Sequence, residues 1–103
     1  MSPEQERFLS LIIVPARLNP AQTAWFVGVS EHDIPILISS RELKPLGNPP
    51  PNAVKYFSTA ELTELRSDHR WLGRVTNALY RHWREKNARK RKPPQSPQAG
   101  EAA

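Results

Sequence analysis

The segment "NPAQTAWFVGVSEHDIPIL", residues 19–37, restricts the fold more than any other part of the chain. Asn19 can cap a helix, and Pro20 fits the first helical turn, where its missing N–H has no partner to lose. Gly28 is suited to the left-handed conformation that ends many helices. These residues predict a short helix over about residues 20–27.

A second helix is predicted immediately afterwards, over residues 31–40. Ser30 is a suitable N-cap, and Asp33 stands three residues later, as in an acidic variant of the capping box. Pro35 lies near the fifth helical position, where its ring clashes with the carbonyl four residues earlier. We therefore expect this helix to start late, to bend or to tighten near Pro35.

The spacing of small and apolar residues across the two helices is that of a helix-turn-helix. A small residue stands where the helices cross, a glycine stands in the turn, and apolar residues lock the second helix onto the first. The residues at these positions are Ala24, Gly28, Val29, Ile34 and Leu37. An ordinary helical hairpin uses the same packing and stays open as an alternative.

A small β-hairpin, the wing of a winged helix-turn-helix, is predicted after this pair. Glycine, asparagine and proline fill residues 47–52 and are typical of a turn. A strand-like run follows over residues 54–57, and Leu43 with Leu46 would form a weaker first strand.

Three further helices complete the predicted fold. Residues 4–13 are so rich in apolar side chains that a helix and a strand both fit, and the acidic residues near the start favour a helix. Ser58 is a suitable N-cap, with Glu61 as its capping-box partner. Asp68 caps a last helix over about residues 69–89. One stripe of that helix is apolar: Trp71, Leu72, Val75, Ala78, Leu79, His82 and Trp83.

The length of 103 residues and the hydrophobic content of 38% suit one small domain with a modest core. We expect a mostly α fold, in which residues 1–92 form a small winged helix-turn-helix domain with a short two-stranded β wing and a basic C-terminal helix. The Pro, Gln, Ala, Ser and Gly content of residues 93–103 cannot offset the entropy of ordering, which predicts a disordered tail.

Positive charge is concentrated in one part of the chain. Residues 66–92 hold ten basic side chains and two acidic ones, a net charge of +8, whereas the whole chain carries +5. Such an asymmetry attracts a polyanion, most often nucleic acid, with an anionic membrane or an acidic protein as alternatives. A merely solvated helix face is the remaining explanation.

The order of these segments resembles the winged helix-turn-helix of the MerR and phage excisionase superfamily. In that superfamily an aromatic strand after the wing leads into a capped helix of the pattern Y-S-x-x-[DE]-L-x-x-L. The resemblance covers about residues 18–67, and MerR regulators add a long dimerising helix and an effector domain, so the small excisionase-like members are more similar to this chain. The matching positions are Tyr56, Phe57, Ser58, Glu61, Leu62 and Leu65.

The resemblance implies a small double-stranded-DNA-binding protein, an accessory factor in transcription or recombination. It implies that residues 31–40 enter the major groove and that residues 44–55 touch phosphates or the minor groove. With the basic last helix, the predicted DNA-binding residues are His32, Asp33, Ile36, Ser39, Ser40, Arg41, Lys44, Asn48, Asn52, Lys55, Arg70, Arg74, Arg81, Arg84, Lys86, Arg89, Lys90, Arg91 and Lys92.

The exposed residues of the predicted reading helix depart from that pattern. Its outer surface is slightly acidic and partly apolar. Carboxylates near phosphates weaken affinity, although an acid can accept from cytosine N4 and a serine can contact either base type. The exposed Pro35 and Ile36 also fit a second hypothesis, a protein-interaction module on a winged-helix scaffold that binds an acidic partner.

No enzyme activity, cofactor or metal site is expected. The chain has no cysteine, and Ser30, His32 and Asp33 are too close in sequence to converge as nucleophile, base and acid. The longest apolar runs are shorter than the roughly 20 residues of a membrane span, and acidic residues stand where a signal peptide is basic. We expect a cytoplasmic, nucleoid-associated protein that binds double-stranded DNA, with a homodimer or a protein partner also open.

Overall fold

In the computed structural model, residues 2–91 are described, with side chains for residues 2–88, and they form five α-helices and one two-stranded antiparallel sheet. The mostly α fold class is therefore confirmed. Residues 93–103, the predicted tail, lie outside the described residues, as does Lys92. The helices are α1 Pro3–Leu9, α2 Pro20–Val27, α3 Ile34–Ser39, α4 Thr59–Arg66 and α5 His69–Arg91, and the strands are β1 Arg17–Leu18 and β2 Phe57–Ser58.

Helix α2 begins and ends where the sequence predicts. The Asn19 side chain accepts from the Gln22 N–H at 2.8 Å, and the Gln22 side chain accepts from the Asn19 N–H at 3.0 Å. This reciprocal capping box satisfies two orphan donors of the helix. Gly28 has a φ of +89°, and this left-handed turn lets the Val29 N–H donate to the Ala24 carbonyl at 3.0 Å.

A single turn of 3-10 helix, Glu31–Asp33, precedes α3. Ser30 caps this turn through its hydroxyl, and its N–H donates to Oδ2 of Asp33 at 3.0 Å. Pro35 consequently lies in the first turn of α3, where its missing N–H has no helical partner to lose. The late start is confirmed, because a regular helix from the beginning of this turn would press the proline ring against a carbonyl.

Two other helix starts lie where the sequence predicts, although the capping box expected at Ser58 is only half formed, because Glu61 bonds through its N–H and not through its carboxylate. The Ser58 hydroxyl accepts from the Glu61 N–H at 3.2 Å at the start of α4, and Oδ1 of Asp68 accepts from the Arg70 N–H at 2.9 Å at the start of α5. The first segment of the chain is a helix, as predicted, but this helix ends at Leu9 and not at residue 13.

The predicted wing is wrong. The strand at Phe57 pairs with β1, ahead of α2, and not with residues 43–46. A backbone hydrogen bond from the Leu46 N–H to the Tyr56 carbonyl, at 2.8 Å, does join the two sides of the loop. Four prolines within residues 44–55 lack the N–H donors that a strand ladder needs, which explains why this loop contains no strand.

One cluster of buried side chains unites all five helices and both strands. It confirms the packing predicted for the helix pair, because Ala24, Ile34 and Leu37 are fully buried in it and Val29 packs against it. The members of the cluster are Phe8, Leu18, Ala24, Ile34, Leu37, Leu43, Phe57, Leu62, Trp71 and Val75.

Candidate nucleic-acid interface

Helix α5 is fixed to the rest of the protein by two tryptophans. Trp71 is buried near its start, and its indole N–H donates to the Glu42 carbonyl at 2.9 Å. Three turns later the indole N–H of Trp83 donates to Oδ1 of Asp33 at 3.0 Å. Because Glu42 follows α3 and Asp33 precedes it, α5 runs antiparallel to α3.

The predicted apolar stripe of α5 faces this contact. Trp71 and Val75 are buried, and the remaining members of the stripe are half-buried. A helix of 23 residues is about 34 Å long, and its outer side is left to solvent.

That outer side carries a row of arginines, which we call the arginine stripe: Arg70, Arg74, Arg81 and Arg84. All four are exposed, and they follow one another at intervals of four, seven and three residues. With 3.6 residues per turn, these intervals keep them within about 80° around the helix axis and spread them over about 21 Å along it. The stripe is therefore a straight, positively charged edge.

One member of the stripe has an acidic partner. Nε of Arg74 lies 3.3 Å from both carboxylate oxygens of Glu42. Glu42 thus contacts α5 twice, through its carbonyl to Trp71 and through its carboxylate to Arg74. Its negative charge offsets part of the positive charge at this point of the stripe.

The positive charge continues towards the C-terminal end of α5. Lys86 is exposed, and its Nζ lies 5.2 Å from the centroid of the Trp83 ring, a cation–π contact. Residues 84–88 are all exposed. Arg89, Lys90 and Arg91 lie within the helix, whereas Lys92 is outside the described residues.

The residues predicted to read DNA bases do not share one surface. His32 lies on one side of α3, and Ile36, Ser39 and Ser40 lie on the other. Ile36, Ser39 and Ser40 border a shallow groove of about 250 Å³ between α3 and α5, together with Arg81 and Glu85. Helix α5 therefore flanks the side of α3 that was expected to face DNA. Ser39 and Ser40 remain exposed, and Ile36 is half-buried.

Asp33, another predicted DNA contact, is engaged within the protein. One carboxylate oxygen accepts from the Ser30 N–H and the other from the Trp83 indole, both at 3.0 Å. The neighbouring His32 is exposed. Sequence reasoning found the first of these bonds because it is local, but no sequence signal links two residues 50 positions apart.

The loop residues predicted to touch phosphates are mostly open to solvent. Lys44, Asn48 and Asn52 are exposed, and Lys55 is half-buried, with its Nζ donating to the Pro51 carbonyl at 3.4 Å. Arg41, two residues after α3, adopts the left-handed conformation, with a φ of +68°.

On the other side of α3 lies a larger, mainly apolar groove of about 910 Å³. Pro35 and Ile38 of α3, Pro20 at the start of α2, and Val54 of the proline-rich loop line it. The sequence marked Pro35 as exposed, but it did not reveal this groove, because the loop that forms its far wall was expected to be a hairpin.

Within residues 2–91, no three histidine, aspartate or glutamate side chains are placed to hold a metal ion together, and no helix there combines the length and apolarity that a membrane crossing needs. Comparison with protein-family models, curated proteins and solved structures found no match to this chain. The similarity to the MerR and excisionase superfamily therefore stays a prediction.

Proposed function

We propose that the protein binds double-stranded DNA, chiefly through phosphate contacts made by the arginine stripe of α5. The observation that supports this proposal is the stripe itself, four exposed arginines in a row on a helix held in place by two buried or half-buried tryptophans. A guanidinium can donate two parallel N–H bonds to a phosphate. Duplex DNA presents phosphates densely along its axis, so a row of arginines on one helix can contact several of them at once.

The members of the stripe contribute unequally in this proposal. Arg74 is already paired with Glu42, so a phosphate must compete with a carboxylate for it. Arg70, Arg81 and Arg84 therefore supply most of the stripe's affinity. Lys86 extends the positive charge beyond the stripe, and the sequence adds basic residues at positions 89–92.

Reading of the base sequence is secondary in this proposal. Ser39 and Ser40 adjoin Arg81 across the groove between α3 and α5, so DNA held by the stripe comes close to both hydroxyls. Serine can serve as donor or acceptor to a base or a phosphate, which gives weak discrimination at most. Such binding suits an accessory factor in transcription or recombination at the nucleoid.

A second candidate function is a protein-interaction module whose basic helix binds an acidic partner. Three observations favour it. Helix α3 has six residues, and α5 flanks one of its sides. The predicted wing does not form. These features weaken the two elements by which a winged helix-turn-helix grips DNA. The same arginine stripe would then face carboxylates in place of phosphates.

A binding titration at two salt concentrations separates the two candidates. A labelled duplex of random sequence and a polyglutamate of equal charge are titrated with the full chain, and fluorescence anisotropy reports binding. If the protein binds DNA, it should bind the duplex more tightly than the polyglutamate. The logarithm of the affinity for the duplex should then fall by about 0.9 per bound phosphate for each tenfold rise in salt concentration. Tighter binding of polyglutamate would support the second candidate.

A pair of variants tests whether the stripe is responsible. Changing Arg81→Gln and Arg84→Gln together should weaken duplex binding and lower the salt slope by about 1.8, the value for two phosphates that are no longer neutralised. The matched control, Arg7→Gln with Arg17→Gln, removes the same charge from the N-terminal part of the chain. Equal losses of affinity from both pairs would contradict a specific role of the stripe.

A further inference from the structure

The backbone of Glu42 is fixed at the junction of α3 and α5. Its N–H donates to the Leu37 carbonyl at 2.9 Å, which ties it to the end of α3. Its carbonyl accepts from the Trp71 indole at 2.9 Å, which ties it to the start of α5. The carboxylate, 3.3 Å from Nε of Arg74, therefore stays beside the second arginine of the stripe.

The two partners of this ion pair differ in exposure. Only 18% of the Glu42 side chain is exposed, whereas 56% of the Arg74 side chain is. A long arginine side chain that lies mostly in solvent has several staggered rotamers open to it, and a mostly buried side chain on a fixed backbone has fewer. When the pair opens, Arg74 is therefore the partner that moves.

The ion pair uses the guanidinium of Arg74 incompletely. Both contacts with Glu42 come from Nε, and their length of 3.3 Å exceeds the roughly 2.7–2.9 Å of strong charge-assisted hydrogen bonds. A phosphate can accept two parallel and shorter N–H bonds from the same group. Phosphate is thus the better partner for Arg74, and the carboxylate is a partner that a phosphate can displace.

We propose that Glu42 is an internal competitor of the DNA phosphates. Its carboxylate occupies Arg74 in the free protein, and a phosphate of the duplex takes its place on binding. The freed carboxylate then lies near the duplex, where it repels phosphate and retains a cation. Glu42 thus keeps the affinity of the stripe below the value that four free arginines would give. This inference rests on the proposed binding of DNA and names the residue that limits it.

A purely structural role of the ion pair, as a tie between α3 and α5, is the alternative. The two roles can be separated, because Trp71 bonds to the carbonyl of Glu42 and not to its carboxylate. Glu42→Gln removes the negative charge and keeps that carbonyl. A structural role predicts lower stability and unchanged binding of the duplex, whereas competition predicts tighter binding.

Titration of a labelled random duplex with the full chain tests the proposal. Glu42→Gln should bind roughly two- to five-fold more tightly, the range that the strength of an exposed ion pair gives. The salt slope should steepen by at most about 0.9, the value for one phosphate. Glu6→Gln, which removes the same charge from an exposed position of α1, is the matched control and should have a smaller effect on both quantities. Urea denaturation checks the fold of both variants.

A further pair of variants tests whether Glu42 acts through Arg74. In a chain that carries Arg74→Gln, the change Glu42→Gln should bring a smaller gain in affinity, because no ion pair is left to open. An equal gain in both chains would overturn the proposal.

The wild-type titration distinguishes failure of this inference from failure of the proposed function. A wild-type chain that binds no duplex would overturn both. A wild-type chain that binds the duplex, with Glu42→Gln no tighter than Glu6→Gln, would overturn the inference alone and leave the arginine stripe as the DNA-binding surface.

Discussion

The indole N–H of Trp83 donates to Oδ1 of Asp33 at 3.0 Å, across 50 residues of sequence. The other oxygen of the same carboxylate accepts from the Ser30 N–H. A single side chain therefore caps the turn before α3 and holds the second half of α5 against that turn. Asp33, which the sequence had suggested as a DNA contact, therefore helps to position the second half of the arginine stripe.

Trp83→Phe should lower the free energy of unfolding by about 1.5–3 kcal/mol, because it removes a hydrogen bond to a charged group while it keeps an aromatic ring. Urea denaturation followed by circular dichroism measures the change. Asp33→Ala removes the same bond from the other side, so the double variant should lose less stability than the two single variants added together. Strictly additive losses would mean that the two side chains do not interact.

Gly28→Val should destabilise the protein by roughly 1–3 kcal/mol, because a β-branched residue is strained in a left-handed turn. Apart from its two chain neighbours, no residue has a heavy atom within 4 Å of the position that a Cβ would take, so the destabilisation would come from the backbone and not from a clash. Thermal melts compare this variant with Gly73→Ala, a matched control.

Gly73 lies in the regular part of α5 and also has open space around it. Alanine there should stabilise the protein by about 0.5–1 kcal/mol, since glycine is a poor helix former. If the two glycine variants changed the melting temperature in the same direction, the proposed difference in backbone strain would be wrong.

Thr23→Val should stabilise the protein by about 1 kcal/mol, because valine keeps the shape of the side chain and removes a polar atom that is costly to bury. Thr23 is fully buried in α2, and its hydroxyl finds no hydrogen-bond partner among the described residues. Chemical denaturation gives the difference. The control is Thr63→Val, whose exposed hydroxyl donates to the Thr59 carbonyl, and it should bring no such gain.

Local signals in the sequence predicted most helix starts, whereas the end of α1 was predicted four residues too late. The caps at Asn19, Ser30 and Ser58 bond to residues at most three positions away, so the pattern of a few letters contains the whole interaction. The left-handed turn at Gly28 is equally local, and the tightening before Pro35 follows from the geometry of one ring.

Contacts between distant parts of the chain could not be predicted in this way. A turn-rich loop precedes strand β2, as is typical of a hairpin. The partner of β2 is nevertheless β1, which precedes α2, and Leu18 pairs with Phe57. The sequence shows that the loop is rich in proline. It does not show which strand pairs with β2 in place of residues 43–46, because that depends on how α2 and α4 pack. The engagement of Asp33 by Trp83 is of the same kind, and it changes the role of a predicted site residue.

The basic end of α5 gives the most direct test of how DNA affinity arises. Truncation after Trp83 removes six basic residues, Arg84, Lys86, Arg89, Lys90, Arg91 and Lys92. The fold should persist, because residues 84–88 are exposed and the Trp83 anchor is kept. Binding should weaken about equally for all duplex sequences, and the salt slope should fall by roughly 0.9 for each phosphate that is no longer neutralised. Truncation after Arg91, which removes residues 92–103 alone, is the control and should keep most of the affinity.

Phosphate contacts set the strength of binding and base contacts set the choice of sequence, so a preference provided by Ser39 and Ser40 should survive the longer truncation. Unchanged affinity and slope after that truncation would make an acidic protein partner the better explanation of the basic helix.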